Sequence, residues 1–325
     1  MSENQNPKVV VLGGGTGMPI LLEGLKPLSL DLSTVVTVAD DGGSTGKIRE
    51  EIEIPAPGDI RNVIATLAEV DDELIELFQH RFTENNPLAG HSLGNLVLAA
   101  MNDVTGDFYH AVKQVARLFC VEANIYPISN KSLTLHAELN DGTIVSGESN
   151  IPVKNKKIER VFLTPETIEP NPEVVQAIME ADMIVISPGS LYTSILANLI
   201  ASGVQEALQK TSAKVVYVCN IMTQEGETND YSAMDHVQAI FSHIGEGIID
   251  TIIVHNKPID REMLCKYSVE DSVPVVYKRN HLEKLHLEVI EANILDGTHE
   301  MIRHDTTVLA EILYELAIIQ KSKDE

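Results

Sequence analysis

A β-branched run, Lys8–Leu12, breaks into Gly13-Gly14-Gly15-Thr16-Gly17 and then into an apolar helical pattern from Met18 to Lys26. Few folds accommodate that order. A buried strand feeding a glycine turn and a helix opens a parallel α/β unit. The N–H groups of such a turn and the helix dipole converge on one point, and glycine lets an anionic oxygen reach the backbone without meeting a Cβ. Pro19 is tolerated in the helix's first turn. A second strand, Thr34–Ala39, ends in Asp40-Asp41-Gly42-Gly43. The unit sets this second turn beside the first, at the carboxyl edge of the sheet.

Four helical patterns follow: Ile60–Val70 with Asp59 as its cap, one starting at Asp71 or Asp72, Ser92–Met101, and Asp107–Leu118. They form a helical insertion over about 59–120, expected to cap one edge of the sheet. Short alternating runs come next: Ile125–Ile128, Leu133–Leu139, Thr143–Gly147 and Ile158–Leu163, with a tight turn at Asn140-Asp141-Gly142. They predict a β-meander over about 123–165 on the sheet edge. Parallel patterning resumes with a strand at Met183–Ile186, a helix from Ser190 to about Ala201, and a strand at Lys214–Cys219. A helix at Tyr231–Ile244 and strands at Thr251–Val254, Val273–Tyr277 and Leu287–Ile290 follow, and an amphipathic helix from Thr306 to about Gln320 closes the chain. The expected fold is α/β and Rossmann-like: a mainly parallel sheet with a helical insertion and a small antiparallel meander, as one domain over residues 1–325.

Charge narrows the partners. With 24 basic and 48 acidic residues, the net charge of −24 opposes nucleic-acid binding, which needs a basic surface to displace counterions. It opposes an anionic membrane surface for the same reason. A phosphate site on this chain must then use backbone N–H groups, a few placed cations or a divalent metal. Cys120, Cys219 and Cys265 show no spacing of a disulfide framework or zinc knuckle, and Cys219 reads as a buried hydrophobe in a strand. No apolar run reaches the ~18 residues of a membrane span, and the N-terminus lacks a signal-peptide core. The expected location is the cytoplasm.

Five polar turns fall where sheet ligands collect. The first, Gly13 to Gly17, lacks the third glycine of G-x-G-x-x-G and the Lys-Ser/Thr of a P-loop. The second offers Asp40 and Asp41, with Gly42 and Gly43, for ribose hydroxyls or for a Mg²⁺ ion shared with diphosphate oxygens. The third places Arg61 and Asn62 in a first helical turn, and a similar turn brings His91 and Asn95 within reach of a base or sugar, with Ser92 as helix cap. The fourth, Ser187-Pro188-Gly189-Ser190, repeats the anion-cradle logic. The fifth holds Asn220 and Thr223 beyond a strand's end. Arg303, just before the last helix, is a further candidate cation for a diphosphate, and Asp305 or Thr306 is that helix's cap.

Taken together, Val11–Gly17, Val38–Gly46, Pro57–Asn62, His91–Asn95, Ser187–Ser190 and Asn220–Gly226 resemble the bacterial gluconeogenesis factor family, which is related to the 2-phospho-L-lactate transferases of coenzyme F420 synthesis. These blocks run through most of the chain in family order. The resemblance implies a Rossmann-like core, a cytoplasmic protein, a role in cell shape and in growth on gluconeogenic carbon sources, and a nucleotide-sugar ligand such as UDP-N-acetylglucosamine. The transferase relatives imply an alternative: Mg²⁺-dependent transfer of a phospho-ester group from a nucleoside diphosphate ester, with Asp40 and Asp41 as metal-holding catalytic residues. A third reading, an NAD-dependent oxidoreductase, is weakest, because the dinucleotide fingerprint is incomplete and no catalytic His or Tyr–Lys pair stands out. The expected partner is a nucleotide-type small molecule, and a homo-oligomer is left open.

Overall fold

The computed structural model describes residues 6–83, 87–166, 171–267, 271–296 and 302–324. Residues 1–5 of the polar N-terminus and the side chain of Cys265 lie outside them. Seven parallel strands form the central sheet: β1 (Lys8–Gly13), β2 (Asp31–Val36), β3 (Asn124–Pro127), β7 (Met183–Ile186), β8 (Lys214–Val218), β9 (Thr251–His255) and β10 (Glu288–Ala292). Their order is β10-β9-β8-β7-β1-β2-β3. Val9–Leu12 and Met183–Ile186 are fully buried or nearly so, as expected of strands covered on both faces. This is why each reads as an unbroken apolar run.

Helices cover the sheet in two layers. In one, α1 (Gly17–Leu25) packs on α3 (Gly58–Leu67) and on α13 (Thr306–Asp324). In the other, α7 (Pro172–Glu180) packs on α9 (Ser202–Lys210), and both α7 and α8 (Ala197–Leu199) rest on β1. The helix anticipated after Ser190 starts as a π-helical turn, Leu191–Leu196, before α8. Helix α9 was not foreseen.

The helical insertion is the crossover from β2 to β3. It comprises α2 (Gly43–Glu51), α3, α4 (Asp72–Gln79), α5 (Leu93–Thr105) and α6 (Phe108–Leu118). Helices α3 and α6 pack on β3. Ser92 and Asp107 cap α5 and α6 through their side chains, as expected of these residue types. Asp59 does not cap α3: that helix starts at Gly58, two residues earlier than expected, after Pro57. Helix α2 stands where a glycine turn is expected, because only Ser44, Thr45 and Ile48 are buried along it and so few contacts leave little apolar period. Strand β2 also begins three residues early, where Asp31 pairs with Lys8, and leaves the ladder after Val36.

The meander divides differently from the expectation. Ile125–Pro127 is not antiparallel; it lies in β3, which pairs with β2 at the edge of the parallel sheet. The remaining strands, β4 (Thr134–Leu139), β5 (Ile144–Ser146) and β6 (Ile158–Thr164), form a separate three-stranded antiparallel sheet in the order β5-β4-β6. Leu135, Ala137 and Leu163 tie it into the main buried cluster. Val273–Tyr277 is no sheet strand either. Pro274 lacks an N–H to donate to a ladder, and the segment pairs with the loop beyond β8 through Thr223 and Ile221. The chain's remaining elements are α10 (Ala233–Ile244), α11 (Arg261–Tyr267), α12 (Arg279–Glu283) and a hairpin of β11 (Leu295–Asp296) with β12 (Arg303–His304). Asp305, not Thr306, caps α13, accepting from the N–H groups of Thr307 and Val308 at 3.0 Å each.

Candidate functional site

Strand β1 runs to β2 on one side, while β7 and later strands build outward on the other. Open α/β sheets form their ligand crevice at such a switch, outside the strands' carboxyl ends. Here the two flanking turns are pressed together. A Cβ on Gly17 would stand 2.2 Å from the Pro188 carbonyl oxygen, so only glycine lets α1 start against the β7 turn. The Asn198 amide donates to the carbonyls of Gly13 and Val35 at 2.8 and 2.7 Å, pinning the first turn from below. Ser187 Oγ is buried against Gly13 and has no hydrogen-bond partner among the described residues.

The first turn already holds an anionic oxygen. Gly15, in the left-handed region at φ +65°, donates its N–H to Asp59 Oδ2 at 2.7 Å. Burial pushes the Asp59 carboxyl up to about 6, the Asp40 charge adds to this, and the Gly15 bond and Arg61 oppose it.

Asp40 and Asp41 sit beside this turn as expected. Asp40 Oδ1 accepts from the Gly42 N–H at 2.8 Å. The loop is anchored by Arg49, a cation absent from the expectation. Its guanidinium donates to the Ala39 and Asp40 carbonyls at 3.2 and 2.7 Å and to Ser132 Oγ at 2.9 Å. Burial lowers its pKa against the charges of Asp41 and Asp40. Asp41 Oδ1 accepts from the Ser149 N–H at 2.9 Å.

That last bond brings the antiparallel sheet over the cleft. Its turn after β5, residues 147–154, spans from the Asp41 loop to the loop beyond β8. A Cβ on Gly147 would lie 2.3 Å from Asp41 Oδ2, and one on Gly226 would lie 2.1 Å from the Pro152 carbonyl oxygen. The turn carries Glu148, half-buried, whose carboxyl is pushed up to about 8. Burial is the largest cause, followed by the charges of Asp40, Glu227, Asp59 and Asp41.

Arg61 and Asn62 join His91 and Asn95 in one network. Arg61 is buried and donates to Ser92 Oγ at 2.6 Å, Asn95 Oδ1 at 3.3 Å and Asn62 Oδ1 at 2.7 Å. Asn95 Nδ2 donates to Ser44 Oγ at 3.2 Å, and His91 Nδ1 lies 3.4 Å from the same hydroxyl. These polar groups tie the starts of α2, α3 and α5 together, and Arg61 spends most of its donors inside the protein.

The β7 turn is also internally filled. Glu227, buried, accepts from the N–H groups of Tyr192 and Thr193 at 3.0 and 3.3 Å and from Thr193 Oγ1 at 2.7 Å. It occupies the helix start that the sequence offers as a second anion cradle. Gly189 and Asn220 exchange two hydrogen bonds, 3.1 and 2.7 Å, which lock the β7 and β8 turns together. Ser190 is half-exposed beside them and accepts the first bonds of the π-helical turn. Thr223 is buried and bonded to Val273 in both directions. Arg303 is exposed, and among the described residues no hydrogen bond or ion pair ties it to the glycine turns. Its neighbour His304 is half-buried and donates to the Cys219 carbonyl at 3.2 Å, so the hairpin is parked at the carboxyl end of β8. Cys219 is buried as expected, and Cys120 is exposed.

Sequence reasoning missed three carboxylates. Asp59 was visible but assigned to capping. Glu227 falls just past the polar run after β8. Glu148 lies in another sheet, and nothing in local patterning points to it. Among the described residues no three His, Cys, Asp or Glu side chains converge as a metal cage, and no helix is long and apolar enough to cross a membrane. Cavities of about 450 and 460 Å³ open at the strands' amino ends, beside Lys214 and Asp250 and beside Leu28 and Glu122. Neither touches a glycine turn.

Comparison with known proteins places the chain. The sequence model of the family described as 2-phospho-L-lactate transferase CofD matches residues 9–295. The chain is similar to a gluconeogenesis factor of Bacillus subtilis, 51% identical over 96% of this chain and 98% of that one. It is similar to another from Halalkalibacterium halodurans, 48% identical over 94% and 95%. A crystal structure of a UPF0052 family protein from Bacillus halodurans superposes with a TM-score of 0.93 at 47% identity, covering 96% of this chain and 99% of that one. With the motif blocks, the parallel sheet and relatives matched end to end in agreement, the chain belongs to the gluconeogenesis factor family, within the 2-phospho-L-lactate transferase CofD group.

Proposed function

We propose that the chain is a cytoplasmic regulator that binds a nucleoside diphosphate sugar, of the UDP-N-acetylglucosamine type, across the carboxyl edge of β1, β2, β7 and β8. The role is in cell shape and in growth on gluconeogenic carbon sources. One observation carries the binding reading: the Gly15 N–H at the topological switch point already holds an anionic oxygen. The diphosphate would lie along Gly13, Gly14, Gly15, Thr16 and Gly17. Ser187, Gly189 and Ser190 would flank it, and Asn62 and His91 would face the sugar or base side, with the buried Asn95 holding that wall from behind. Asp40 and Asp41 fit a Mg²⁺ ion that arrives with the diphosphate. Each carboxylate has one oxygen engaged by a backbone N–H, which leaves the second for a metal that keeps most of its ligands from water and phosphate.

A second reading is favoured by the transferase family match. In it the same cleft positions a nucleoside diphosphate ester while an acceptor hydroxyl attacks the ester-bearing phosphorus and gives up its proton, the P–O–P bond breaks, and the nucleoside monophosphate leaves. Mg²⁺ and the glycine-turn amides would neutralise the developing charge. Calorimetric titration with UDP-N-acetylglucosamine, GDP and NAD, with and without Mg²⁺, separates these readings when followed by phosphorus NMR of the mixtures. Tight binding of the nucleotide sugar without new phosphorus species is the expected outcome. Turnover of a diphosphate ester would establish the transferase, and binding of NAD alone would overturn both.

A further inference from the structure

We infer that Asp59 is a built-in stand-in for the ligand's phosphate, filling the glycine turn and yielding Gly15 to a phosphate oxygen when the ligand binds. The inference rests on the nucleotide reading above and concerns the same site. Its first support is position. Asp59 Oδ2 takes the Gly15 N–H at 2.7 Å, and a Cβ on Gly14 would lie 2.7 Å from that same oxygen. The carboxylate therefore lies flat on the surface that an incoming phosphate needs. A phosphate oxygen accepting from Gly15 would come within about 3 to 4 Å of Asp59 at ordinary hydrogen-bond lengths, and two anions cannot share one amide without strong repulsion.

The second support is that capping does not explain the bond. Helix α3 starts at Gly58 behind Pro57, and no side chain caps it. Asp59 leaves its own helix end to reach across to β1. The third support is the surrounding charge. Asp40 Oδ2 stands 2.8 Å from where a Cβ on Gly58 would project, and its charge bears on Asp59. Arg61, the cation acting on Asp59, is already bonded to Ser92, Asn95 and Asn62. The turn therefore discriminates against weak anions and admits a group charged strongly enough, or carrying its own cation, to displace the carboxylate.

Two substitutions test this. Asp59→Asn keeps the shape and removes the charge, and Asp59→Ala removes the side chain's oxygens altogether. Affinities for UDP-N-acetylglucosamine and GDP are measured by calorimetry on the full chain, in Mg²⁺ and in chelator, with thermal unfolding of each variant as a check on folding. A stand-in predicts at least about tenfold tighter binding by Asp59→Asn in either condition, which is about 1.4 kcal/mol, and a gain of the same sign for Asp59→Ala. Unchanged or weaker binding by folded Asp59→Asn would overturn the inference, because Asp59 would then be holding ligand or metal. If the wild type and both variants bind neither nucleotide, the nucleotide reading itself fails and takes the stand-in with it.

Discussion

Glu148 concentrates the site's electrostatics in one side chain. It is half-buried beneath its own turn and faces Asp40, Asp41, Asp59 and Glu227, so its proton is held up to about pH 8 against an ordinary value of 4.5. The sign of the linkage follows. Between about pH 4.5 and 8 the folded protein keeps a proton that the unfolded chain has released, so stability falls as pH rises through that window. The cost is complete above about pH 8 and absent below about 4.5. Glu148→Gln cannot ionise. It is expected to unfold at a higher temperature than the wild type at pH 9, with the gap closing as pH falls towards 4.5. Differential scanning calorimetry across that range checks it, and a gap independent of pH would mean that Glu148 acts through packing instead. No sequence signal identifies this residue, because its neighbours come from the loop beyond β2, from α3 and from the loop beyond β8, each far along the chain. Asp40 and Asp41 were legible because a strand end and a glycine turn fix their place locally.

Among the elements, the same contrast explains what sequence patterning resolves. Strand β1 announces itself because burial on both faces requires an unbroken apolar run. Helix α2 does not, since Gly43–Glu51 buries three side chains and otherwise faces polar surroundings. Ile125 alternates as a meander strand would, yet pairs with β2, a partner some ninety residues earlier; alternation reports burial and cannot report the partner. The turn from β5 to β6 is the element whose consequence is largest, because it ties the antiparallel sheet to two site loops. Gly226 permits that contact. Its φ is +78° and a Cβ there would lie 2.1 Å from the Pro152 carbonyl. Gly226→Ala is expected to cost about 1–3 kcal/mol in urea unfolding and to weaken nucleotide-sugar binding, although Gly226 itself lies outside the glycine turns. Loss of stability with unchanged affinity would show that the turn roofs the cleft without shaping it.

For the molecule as a whole, the sheet order decides how ligand binding and stability communicate. The site draws on the ends of β1, β2, β7 and β8, four adjacent strands at the centre of the sheet, and on the antiparallel sheet through Ser149 and Pro152. The excess of carboxylates that gives a net charge of −24 is locally dense here. The clustered carboxylates repel one another, and a cation-bearing ligand relieves that repulsion. A ligand at 100 times its Kd stabilises the folded state by about 2.7 kcal/mol. At about 2.1 cal/mol/K of unfolding entropy per residue, a chain of 325 residues should unfold roughly 4 °C higher in saturating UDP-N-acetylglucosamine with Mg²⁺. Hydrogen exchange should slow at residues 13–17, 147–154 and 220–227 together, because the Asp41–Ser149 and Gly226–Pro152 contacts make those segments one closing unit. Protection confined to residues 13–17 would mean that the antiparallel sheet stands apart from the site, and its turn would then be only a brace for Asp41.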